Sequence, residues 1–451
     1  MAEDLTAACK KAADLLLSFP VSTRVRVVSH YDADGISAAG VLCTALHRAG
    51  YDFHATLMRN PFTKGFDRLK TEQNEIIVFS DMGSGQLDTI QGLGCNAIIL
   101  DHHQYQTVQT PKNILQINAN LYGVDGNYEA SGATLSYLLA VAIDPTNDDL
   151  APLALTGAMG DKQYIGGIRG VNKEILDKAL QKGFLTEQAG IKLAGETLGD
   201  ALYYSVDPYY VGLSGNRSEI QKALEQLHLE PTQSLSALSP EAMAQLQSFL
   251  LFRLLKVGCQ PNILDITIRN RYIATKNGYE LEWFADLLDA CGKNGHRSLG
   301  LSLCLGDTTA WDEALQVEKD YKQKLLDGLQ SLQNGGIHET DGMRYFYSDN
   351  SSLGGVVAGI AMNYVLDEKK PLFALTRKEI DNEIHVSCRG NQKLVAEGLD
   401  LGSAMKQAAG QLGGFGGGHK IAAGATIGFD KEKEFIDHVD KLLVQQMKRE
   451  I

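Results

Sequence analysis

The run Ile98-Ile-Leu-Asp-His-His-Gln104 constrains what this chain can fold into more than any other stretch of its sequence. Three apolar residues are typical of a buried strand, and an acid with two adjacent imidazoles follows them directly. Burying so many polar side chains costs free energy unless each of them has a partner. A metal ion supplies a partner for all of them, so we interpret Asp101, His102 and His103 as the end of a strand in a metal site.

Two other strand-like runs, an alternating one at residues 24–30 and an apolar one at 76–80, end in the same kind of side chain. The acids and imidazoles at these ends are His30, Asp32, Asp34 and Asp81. In an open parallel sheet, ligands bind beyond the carboxyl ends of the strands, so three such strands would direct these groups into one crevice. Asp161, which follows a helix-like stretch at 151–158, would complete the set.

Each of these acids also has a simpler interpretation. Asp32 and Asp34 precede a helix-like stretch at 36–49, where an aspartate commonly caps the first turn. Asp81 alone is an acid after a strand, and residues 101–103 alone are a surface tripeptide. We favour the shared site because three strands of this kind occur in one chain.

A chain of 451 residues exceeds what one hydrophobic core normally organises, so two or three domains are expected. Helical spacing of apolar residues predicts helices at 5–19, 131–142 (with Ser131 as N-cap), most of 170–255 and 311–333. The last of these is polar and suits a spacer between domains. Short strand-like runs at 345–347, 372–375, 384–387 and 423–429 predict a second α/β unit.

Charge and cysteine content exclude several classes of protein. The net charge of −13 disfavours a protein that coats a duplex, so any nucleic acid would meet a local basic groove. The seven cysteines are odd in number and lack Cys-x-x-Cys spacing, which argues against disulfides and zinc fingers and for a reducing cytosol. The acidic start Met1–Leu5 is unlike a signal peptide, and no apolar run approaches the ~20 residues of a membrane span. We therefore expect a cytoplasmic protein without membrane association.

A glycine-rich run, Gly413-Gly-Phe-Gly-Gly-Gly-His-Lys420, lies between the strands of the second α/β unit. Successive glycines let backbone N–H groups converge on an anion, and His419 and Lys420 would add side-chain donors. The run matches neither a Walker loop nor a dinucleotide fingerprint. A smaller basic turn at 293–297 is interpreted either as a phosphate contact or as a solvated loop.

Five aspartates and three histidines cannot share one crevice without cations, because like charges raise one another's pKa values and destabilise the fold. A mixed set of oxygen and imidazole donors suits manganese best, ahead of magnesium, iron and zinc. Two cations about 4 Å apart, bridged by one carboxylate, suit in-line attack of water on a phosphodiester. The residues thus predict a two-metal phosphodiesterase site.

These motifs, taken together and in this order, resemble the DHH phosphoesterase superfamily. The motifs are His-x-Asp-x-Asp-Gly at 30–35, the later Asp81, Asp-His-His at 101–103, Gly-x-x-x-Asp at 157–161 and Gly-Gly-Gly-His at 416–419. Within that superfamily, Leu288-Asp-Ala-Cys-Gly292 and Ser387-Cys-Arg389 look most like archaeal RecJ-type single-strand exonucleases, a group that includes the GINS-associated nuclease. The resemblance covers nearly the whole chain.

The resemblance implies an α/β protein with a parallel-sheet DHH catalytic core, joined by a long helix to a smaller α/β DHH-associated domain. We expect the core at 1–185, a mainly helical extension at 186–308, the linker helix at 309–333 and the DHH-associated domain at 334–451. The chain has no room for the additional OB-fold domain of bacterial relatives, which puts long-strand processivity in doubt.

The resemblance also implies a role for each matching residue. His30 and Asp32 would hold one manganese ion, Asp34, His102 and Asp161 would hold the other, and Asp81 would bridge them. Asp101 would orient its neighbours from behind, and His103 would meet the scissile phosphate. The substrate-binding residues would be Ser387, Arg389, Gly416, Gly417, Gly418 and His419. Relatives often have arginine where Lys293 stands, so one bidentate phosphate contact is expected to be lost here.

The expected function is a manganese-dependent exonuclease that hydrolyses single-stranded DNA or RNA in replication or repair, with magnesium as the alternative cofactor. The implied partners are single-stranded nucleic acid and a GINS-containing replicative helicase complex. One alternative is a phosphodiesterase for oligoribonucleotides, cyclic dinucleotides or phosphoadenosine phosphate. The others are an inorganic pyrophosphatase and a replisome scaffold that binds GINS-like partners. The complete ligand set disfavours the non-catalytic branch of the superfamily.

Overall fold

A five-stranded parallel sheet organises the N-terminal part of the chain in the computed structural model, which describes residues 2–58, 64–106, 109–259, 263 and 267–447. Its strands are β1 (Val25–His30), β2 (Phe53–Met58), β3 (Ile76–Ser80), β4 (Asn96–Asp101) and β5 (Ile114–Asn118). They lie in the order β2-β1-β3-β4-β5, and every neighbouring pair is parallel. The three strands expected to carry acids, β1, β3 and β4, are therefore adjacent in the middle of the sheet.

The two edge strands, β2 and β5, were not predicted from the sequence. The three central strands are almost fully buried, and the continuous apolar runs of β3 and β4 are typical of a sheet that is covered on both faces. Strand β2 is only partly buried and mixes polar with apolar residues, which makes its pattern weaker. Partial burial at the edge of the sheet thus explains why β2 escapes detection by periodicity, whereas β5 is mostly buried but is a short run interrupted by Gln116.

Helices occupy most of the remaining described residues. In chain order they are α1 (Ala2–Leu17), α2 (Ala33–Arg48), α3 (Lys64–Thr71), α4 (Leu87–Gln91), α5 (Gly132–Ile143), α6 (Ala151–Gly160), α7 (Gly170–Gln181), α8 (Leu198–Tyr203), α9 (Arg217–Gln226), α10 (Pro240–Lys256), α11 (Leu281–Lys293), α12 (Arg297–Cys304), α13 (Trp311–Gln333), α14 (Ser351–Tyr364), α15 (Gln392–Ala396), α16 (Leu401–Gln411) and α17 (Glu432–Met447). Short 3₁₀ helices lie at Ala119–Tyr122, Pro145–Leu150, Leu235–Ala237, Thr308–Ala310 and Phe429–Lys431.

Helix α2 follows the first acid-tipped strand and packs against β1, α5 and α6. It is buried along nearly its whole length, as expected of a helix that is apolar on most sides. Asp32 is its N-cap and accepts a hydrogen bond from the Gly35 N–H at 3.1 Å. Helix α5 begins with the predicted N-cap Ser131, which forms a capping box with Thr134.

The chain divides into two compact units. The first unit contains Met1–Gly190 and Arg269–Glu318, and the second contains Ile191–Ile268 and Lys319–Ile451. One boundary between the units falls within α13. This helix has the bounds predicted from the sequence, 311–333. A two-stranded sheet of β6 (Leu185–Ile191) and β7 (Ile268–Ala274) lies where the chain leaves the first unit and returns to it.

A six-stranded mixed sheet forms the centre of the second unit. Its strands are β8 (His338–Glu339), β9 (Arg344–Tyr347), β10 (Leu372–Lys378), β11 (Glu383–Arg389), β12 (Phe415–Gly418) and β13 (Ala422–Gly428). The order is β12-β13-β11-β10-β9-β8, with only the β9–β10 pair parallel. The predicted fold class, a parallel α/β domain followed by a smaller α/β domain, is thereby confirmed.

The glycine-rich run differs from the expected loop. Residues Phe415–Gly418 form the edge strand β12, which pairs antiparallel with β13. A Cβ atom added at Gly416 would lie 2.5 Å from the Met405 carbonyl oxygen, and one at Gly418 would lie 2.6 Å from the Cα of Ala423. Glycine is needed here because the strand approaches neighbouring backbone too closely for any side chain.

Two further expectations can be compared with the structure. All seven cysteines are free thiols. In the part of the chain that the structure describes, no helix combines the length and the apolar character needed to span a bilayer.

Candidate metal centre

The carboxyl edge of the parallel sheet gathers all six side chains that the sequence assigned to metal. Three groups of histidine and aspartate within the described residues have ligand atoms that all lie within 4.8 Å of one another. The groups are His30, Asp32 and Asp81; Asp34, His102 and Asp161; and Asp81, His102 and His103. Asp161 comes from the C-terminal cap of α6. Four segments that are distant in sequence thus converge on one point.

Asp81 lies between the first two groups. Its Oδ1 is 3.1 Å from His102 Nε2, and its Oδ2 is 3.4 Å from His30 Nδ1. The residue directly follows β3 and has a φ of +56°, a left-handed conformation that aspartate and asparagine tolerate better than most residues. Its N–H donates to the Leu100 carbonyl at 2.8 Å, which fixes this turn to the neighbouring strand. The strand end therefore presents one carboxylate to two sets of ligands.

Asp34 is fully buried beneath the N-terminus of α5. Its Oδ2 accepts from the Gly132 N–H at 2.6 Å, and its Oδ1 accepts from the Ala133 N–H at 3.0 Å. Free N–H groups at a helix N-terminus favour an anion. The same carboxylate lies 3.6 Å from His102 Nε2. Helix α5 thus supports the charged form of a candidate ligand that burial alone would oppose.

The His102 ring is fixed by a backbone carbonyl behind it. Its Nδ1 lies 2.5 Å from the Gly126 carbonyl oxygen, and because that oxygen can only accept, Nδ1 carries the proton. Nε2 then faces the acids, at 3.1 Å from Asp81 and 3.2 Å from Asp161. A Cβ atom on Gly126 would lie 2.0 Å from the His102 carbonyl oxygen, so only glycine fits at this position.

Asp101 and His103 have a different arrangement from the other candidates. Asp101 Oδ1 accepts from the backbone N–H groups of His102 and His103 and from His103 Nδ1, while its Oδ2 accepts from the Ser84 N–H. With both oxygens engaged, Asp101 is suited to hold the turn and not to bind metal. His103 is exposed, and its Nε2 is the ring nitrogen that remains available to a substrate.

Protons and charges are strongly redistributed in this cluster. Burial would lower the pKa of His102, but Asp81 and Asp161 raise it well above its usual value. Burial would raise the pKa of Asp81, but His102 and His30 hold it well below its usual value. Burial and then the Asp81 charge raise the pKa of Asp34 well above the usual range, and burial is also the main cause that raises the pKa of Asp161 to about 7. Acids this close cannot all be charged unless cations compensate them.

The donor set fits divalent cations. His30 Nδ1 and Asp81 Oδ2 are both buried, and neither makes a hydrogen bond of regular geometry with the described residues. A third atom that could bind a metal ion, Asp32 Oδ2, lies 2.7 Å from His30 Nδ1. Unsatisfied buried polar atoms are rare in native proteins, and a bound ion is one established explanation for them. Carboxylate oxygens mixed with imidazole nitrogens suit first-row divalent ions such as Mn²⁺.

A glycine in α6 sets the distance between that helix and Asp34. A Cβ atom on Gly157 would lie 2.3 Å from Asp34 Oδ1 and 2.5 Å from the Ala133 Cβ. In an exposed helix, replacing glycine by alanine stabilises by about 0.5–1 kcal/mol. Overpacking costs typically ~1–3 kcal/mol, so the clash should outweigh the gain.

We therefore expect Gly157→Ala to lower the melting temperature and to weaken Mn²⁺ binding, measured by calorimetry, by roughly tenfold or more. Gly410→Ala in α16 is the matched control, because a Cβ atom there would meet nothing within 4 Å. The control should be neutral or slightly stabilising. Unchanged Mn²⁺ affinity in the Gly157 variant would show that α6 does not set the position of Asp34.

The predicted substrate-binding residues lie in the second unit, at one end of its sheet. Arg389, at the end of β11, pairs with Ala422 at the start of β13, and Gly418, at the end of β12, pairs with Ala423. His419 follows Gly418 directly. The register thus brings Arg389 together with the Gly-Gly-Gly-His segment on three neighbouring strands.

The Arg389 guanidinium makes few hydrogen bonds and ion pairs with the described residues. Its Nη1 donates to the Cys388 carbonyl at 2.9 Å, and it has no ion pair with any of the described residues. Burial lowers the pKa of the guanidinium from its usual value. Ser387, two residues earlier, lies on the same face of β11, and a Cβ atom on Gly355 would crowd both side chains, at 3.2 Å from Ser387 and 3.0 Å from Arg389. The glycine leaves space beside a cation that has most of its donors unused.

Sequence reasoning missed the residues that support the Asp-His-His turn. Asn120 Nδ2 donates to the His102 carbonyl at 2.9 Å, and Asn118 Nδ2 donates to the His103 carbonyl at 3.0 Å and to Ser84 Oγ at 2.9 Å. The available signal was Asn118-Ala-Asn120 directly after the apolar run Ile114–Ile117, which is the same pattern of a strand with a polar end. These residues were missed because strand β5, which leads to them, was itself not predicted.

Two family models match the chain. The model described as "DHH family, N-terminal domain" matches residues 24–158, and the model for the DHHA1 domain matches residues 342–445. An uncharacterized protein of Methanocaldococcus jannaschii is 30% identical over 434 residues, which covers 94% of both chains. The first match contains the parallel sheet, and the second contains every strand of the mixed sheet except β8.

Three solved structures share the fold over nearly the whole chain. RecJ of Thermus thermophilus in complex with Mn²⁺ has a TM-score of 0.61 and 18% identity over 97% of this chain, but the chain spans only 55% of that protein. An exonuclease RecJ bound to manganese has a TM-score of 0.62 and 17% identity, with 98% of this chain and 97% of the other covered. CDC45 from Entamoeba histolytica has a TM-score of 0.65 and 12% identity, with 98% of both covered. At these identities the likeness establishes a shared fold.

Proposed function

Because this chain belongs to the DHH superfamily and has a RecJ-like fold, we propose that it is a manganese-dependent exonuclease acting on single-stranded DNA or RNA. Family and fold together support a phosphoesterase or nuclease. The metal, the substrate and the two-metal mechanism are the parts that this proposal adds.

One observation carries the proposal. Asp81 belongs to one three-residue group of candidate ligands, with His30 and Asp32, and lies against the group of Asp34, His102 and Asp161: its oxygens are 3.4 Å from His30 and 3.1 Å from His102. His30 and Asp32 would hold one cation, Asp34, His102 and Asp161 would hold the second, and Asp81 would bridge them. When bound, such a pair of cations activates water and stabilises the charge that develops on a phosphoryl group.

The remaining side chains have roles that follow from their contacts. Asp101 holds His103 by accepting from Nδ1 at 2.9 Å, so His103 can present Nε2 to a phosphate oxygen. In the second unit, the guanidinium of Arg389, which has no ion pair within the described residues, is suited to a phosphate, and residues 416–419 would contribute from the same end of the sheet. Arginine binds phosphate through two parallel hydrogen bonds, which adds geometric specificity.

The test uses single strands of DNA and RNA labelled at either end and incubated with the full-length protein, with Mn²⁺ and then with excess chelator. We expect mononucleotides to appear from one end only, and only with the metal. The direction and the sugar preference follow from which label is released first. A series of strands from two to thirty nucleotides separates an exonuclease from a phosphodiesterase for small substrates, since only the exonuclease retains activity on long strands.

Two results would contradict the proposal. Release of phosphate from pyrophosphate, with intact strands, would identify a pyrophosphatase. Calorimetric binding of Mn²⁺ without cleavage of any strand or dinucleotide would argue against a nuclease of any length preference.

We expect Arg389→Ala to weaken substrate binding more than turnover. Loss of a hydrogen bond to a charged group costs about 1.5–3 kcal/mol, so KM should rise roughly 10- to 100-fold while kcat changes little. The slope of log KM against log salt should also fall by about one, as for the loss of one phosphate contact. Steady-state kinetics on an end-labelled strand at several salt concentrations measures both effects.

Arg377→Ala is the matched control, because that guanidinium is in the same sheet but is already paired with Glu432 at 2.8 Å through two nitrogens. It should leave KM and the salt slope close to the wild-type values. A fall in kcat at constant KM in the Arg389 variant would place that side chain in the chemical step and not in binding.

The fold also suits a second function, a CDC45-like scaffold without turnover. The observation in its favour is the likeness to CDC45, which has the highest of the three TM-scores given above. The complete set of candidate ligands favours the enzyme, because a scaffold has no need of three histidines and four aspartates in one cluster. Manganese-insensitive binding of a replicative helicase subunit by a cleavage-inactive protein would favour the scaffold.

A further inference from the structure

We propose that the side-chain amide of Gln163, held in one orientation by Asn172, positions two candidate metal ligands, His102 and Asp34, at once. Neither residue was identified from the sequence, and neither touches the site itself. The inference rests on the proposed metal-dependent function and adds positioning residues to the same site.

Gln163 is 1% exposed and lies two residues after the candidate ligand Asp161. Its Nε2 donates to two backbone carbonyls, those of Gly126 at 2.9 Å and Ala130 at 3.1 Å. A carbonyl oxygen can only accept, so the amide nitrogen has to face both of them. The orientation of this amide is therefore fixed by chemistry.

The two carbonyls lead to two different ligands. The Gly126 carbonyl oxygen is the one that accepts from His102 Nδ1 at 2.5 Å. The Ala130 carbonyl directly precedes Ser131, the N-cap of α5, whose first N–H groups hold Asp34. A movement of Gln163 would thus displace the carbonyl behind one ligand and the helix end behind another.

Asn172 holds the other end of the amide. Its Nδ2 donates to Gln163 Oε1 at 2.6 Å, and its backbone N–H donates to the Glu129 carbonyl at 3.0 Å, within the same turn. Asn172 is 0% exposed, and its Oδ1 has no hydrogen-bond partner among the described residues. A buried acceptor without a hydrogen bond is unfavourable in free energy. Asn172 nevertheless keeps the orientation in which Nδ2 donates to Gln163.

The chain of contacts therefore runs from α7 to the metal centre. Asn172 orients Gln163, Gln163 spans residues 126–130, and that turn sets His102 through one carbonyl and Asp34 through the start of α5. Partners that lie behind metal ligands typically change metal affinity or activity 10- to 100-fold when they are removed. In this protein one amide would act on ligands from two segments of the chain.

Three variants test the proposal. Gln163→Met keeps the length of the side chain and removes both donors. Asn172→Leu removes the hydrogen-bond donor to Gln163 Oε1. Asn172→Asp replaces that donor by an acceptor, which favours a flipped Gln163 amide whose oxygen would face two carbonyl oxygens. Lys173→Ala is the control, because this exposed side chain on the same helix pairs with Asp177, one turn further along α7.

The primary measurement is Mn²⁺ binding to the full-length protein by titration calorimetry, with thermal melting of the metal-free protein beside it. We expect Mn²⁺ affinity to fall roughly 10- to 100-fold in Gln163→Met and Asn172→Asp and by less in Asn172→Leu, with no change in Lys173→Ala. A purely structural role would lower the melting temperature of the metal-free protein and leave the affinity of the folded protein unchanged.

A second measurement observes His102 directly. With ¹⁵N-labelled histidine and Zn²⁺ as a diamagnetic probe, wild-type His102 should show a proton on Nδ1 in slow exchange with water. The Gln163→Met variant should lose that slow exchange or show a second ring environment. Wild-type ring signals and wild-type Mn²⁺ affinity in folded Gln163→Met and Asn172→Asp would overturn the inference, whereas failure of the wild-type protein to bind Mn²⁺ would overturn the proposed function instead.

Discussion

Asp81→Asn is expected to abolish Mn²⁺-dependent strand cleavage while leaving the protein folded. Asparagine accepts the left-handed backbone at this position, where φ is +56°, so the variant keeps the turn after β3. It loses the negative charge that lies within reach of both His30 and His102. Removal of a single electrostatic contact in an active site costs about 10²–10³-fold in rate, and loss of a bridging carboxylate should cost at least that much.

The rate of mononucleotide release at saturating Mn²⁺, together with calorimetric Mn²⁺ binding, measures this effect. Asp81→Ala is a poorer test, because alanine in a left-handed conformation adds backbone strain to the loss of charge. Asp88→Asn in α4 is the matched control, since this exposed acid lies in the same segment outside the candidate groups. Retained metal-dependent cleavage in a pure Asp81→Asn preparation would exclude a bridging role.

Glu72→Gln is expected to destabilise the first unit by about 2–3 kcal/mol, the largest effect on stability that we predict. Arg26 lies in the central strand β1 and is only 2% exposed, and its Nε donates to Glu72 Oε2 at 2.7 Å. The other guanidinium nitrogens donate to the Val27 and His54 carbonyls and to Thr56 Oγ1. Without the carboxylate the variant retains a buried cation with hydrogen bonds but without the opposite charge of Glu72.

The same pair predicts a pH dependence with a definite sign. Hydrogen bonding by Arg26 holds the pKa of Glu72 below its usual value, although burial opposes this. A carboxyl with a lowered pKa contributes its stability above its unfolded pKa of about 4.3 and loses it as the pH falls through the folded value. The difference in melting temperature between wild type and Glu72→Gln should therefore be constant from pH 7 to about pH 5 and shrink below about pH 4.

Scanning calorimetry across this range measures the difference. Asp67→Asn in α3 is the control, because Asp67 makes an exposed pair with Lys70 at 3.4 Å and such pairs contribute little. A difference that persists unchanged at pH 3 would mean that the ion pair is not the source of the stability.

The sequence predicted the centre of the candidate site better than its surroundings, for a physical reason. Strands β3 and β4 are covered on both faces and appear as continuous apolar runs, and β1 mixes valine with polar residues, so the acids after all three are easy to recognise. Strand β5 is followed by asparagines, whose neutral amides do not indicate a metal site as carboxylates do. Gln163 acts through hydrogen bonds to two backbone carbonyls, and Asn172 acts through a hydrogen bond to the Gln163 amide oxygen. Nothing in a sequence indicates which acceptor a side chain will meet.

Two interpretations that looked like alternatives turned out to be compatible. From the sequence, Asp32 is either a helix cap or a ligand; in the structure one oxygen, Oδ1, caps α2, and the other, Oδ2, lies beside His30. For the glycine-rich run, in contrast, the two possible interpretations exclude each other. Its composition indicates close backbone approach but does not distinguish a loop from an edge strand. Only the pairing with β13 decides that question.

The first unit is discontinuous in sequence, and this has a consequence for its synthesis. Helices α11 and α12 pack against α2, with Cys304 beside Gly40, but Ile191–Ile268 of the second unit must be translated before them. At about 5–20 residues per second, a nascent chain would wait several seconds with that face of α2 uncovered. The emerging N-terminal segment therefore passes through an interval in which an apolar helix face is open to aggregation, and a ribosome-associated chaperone would act most usefully during that interval.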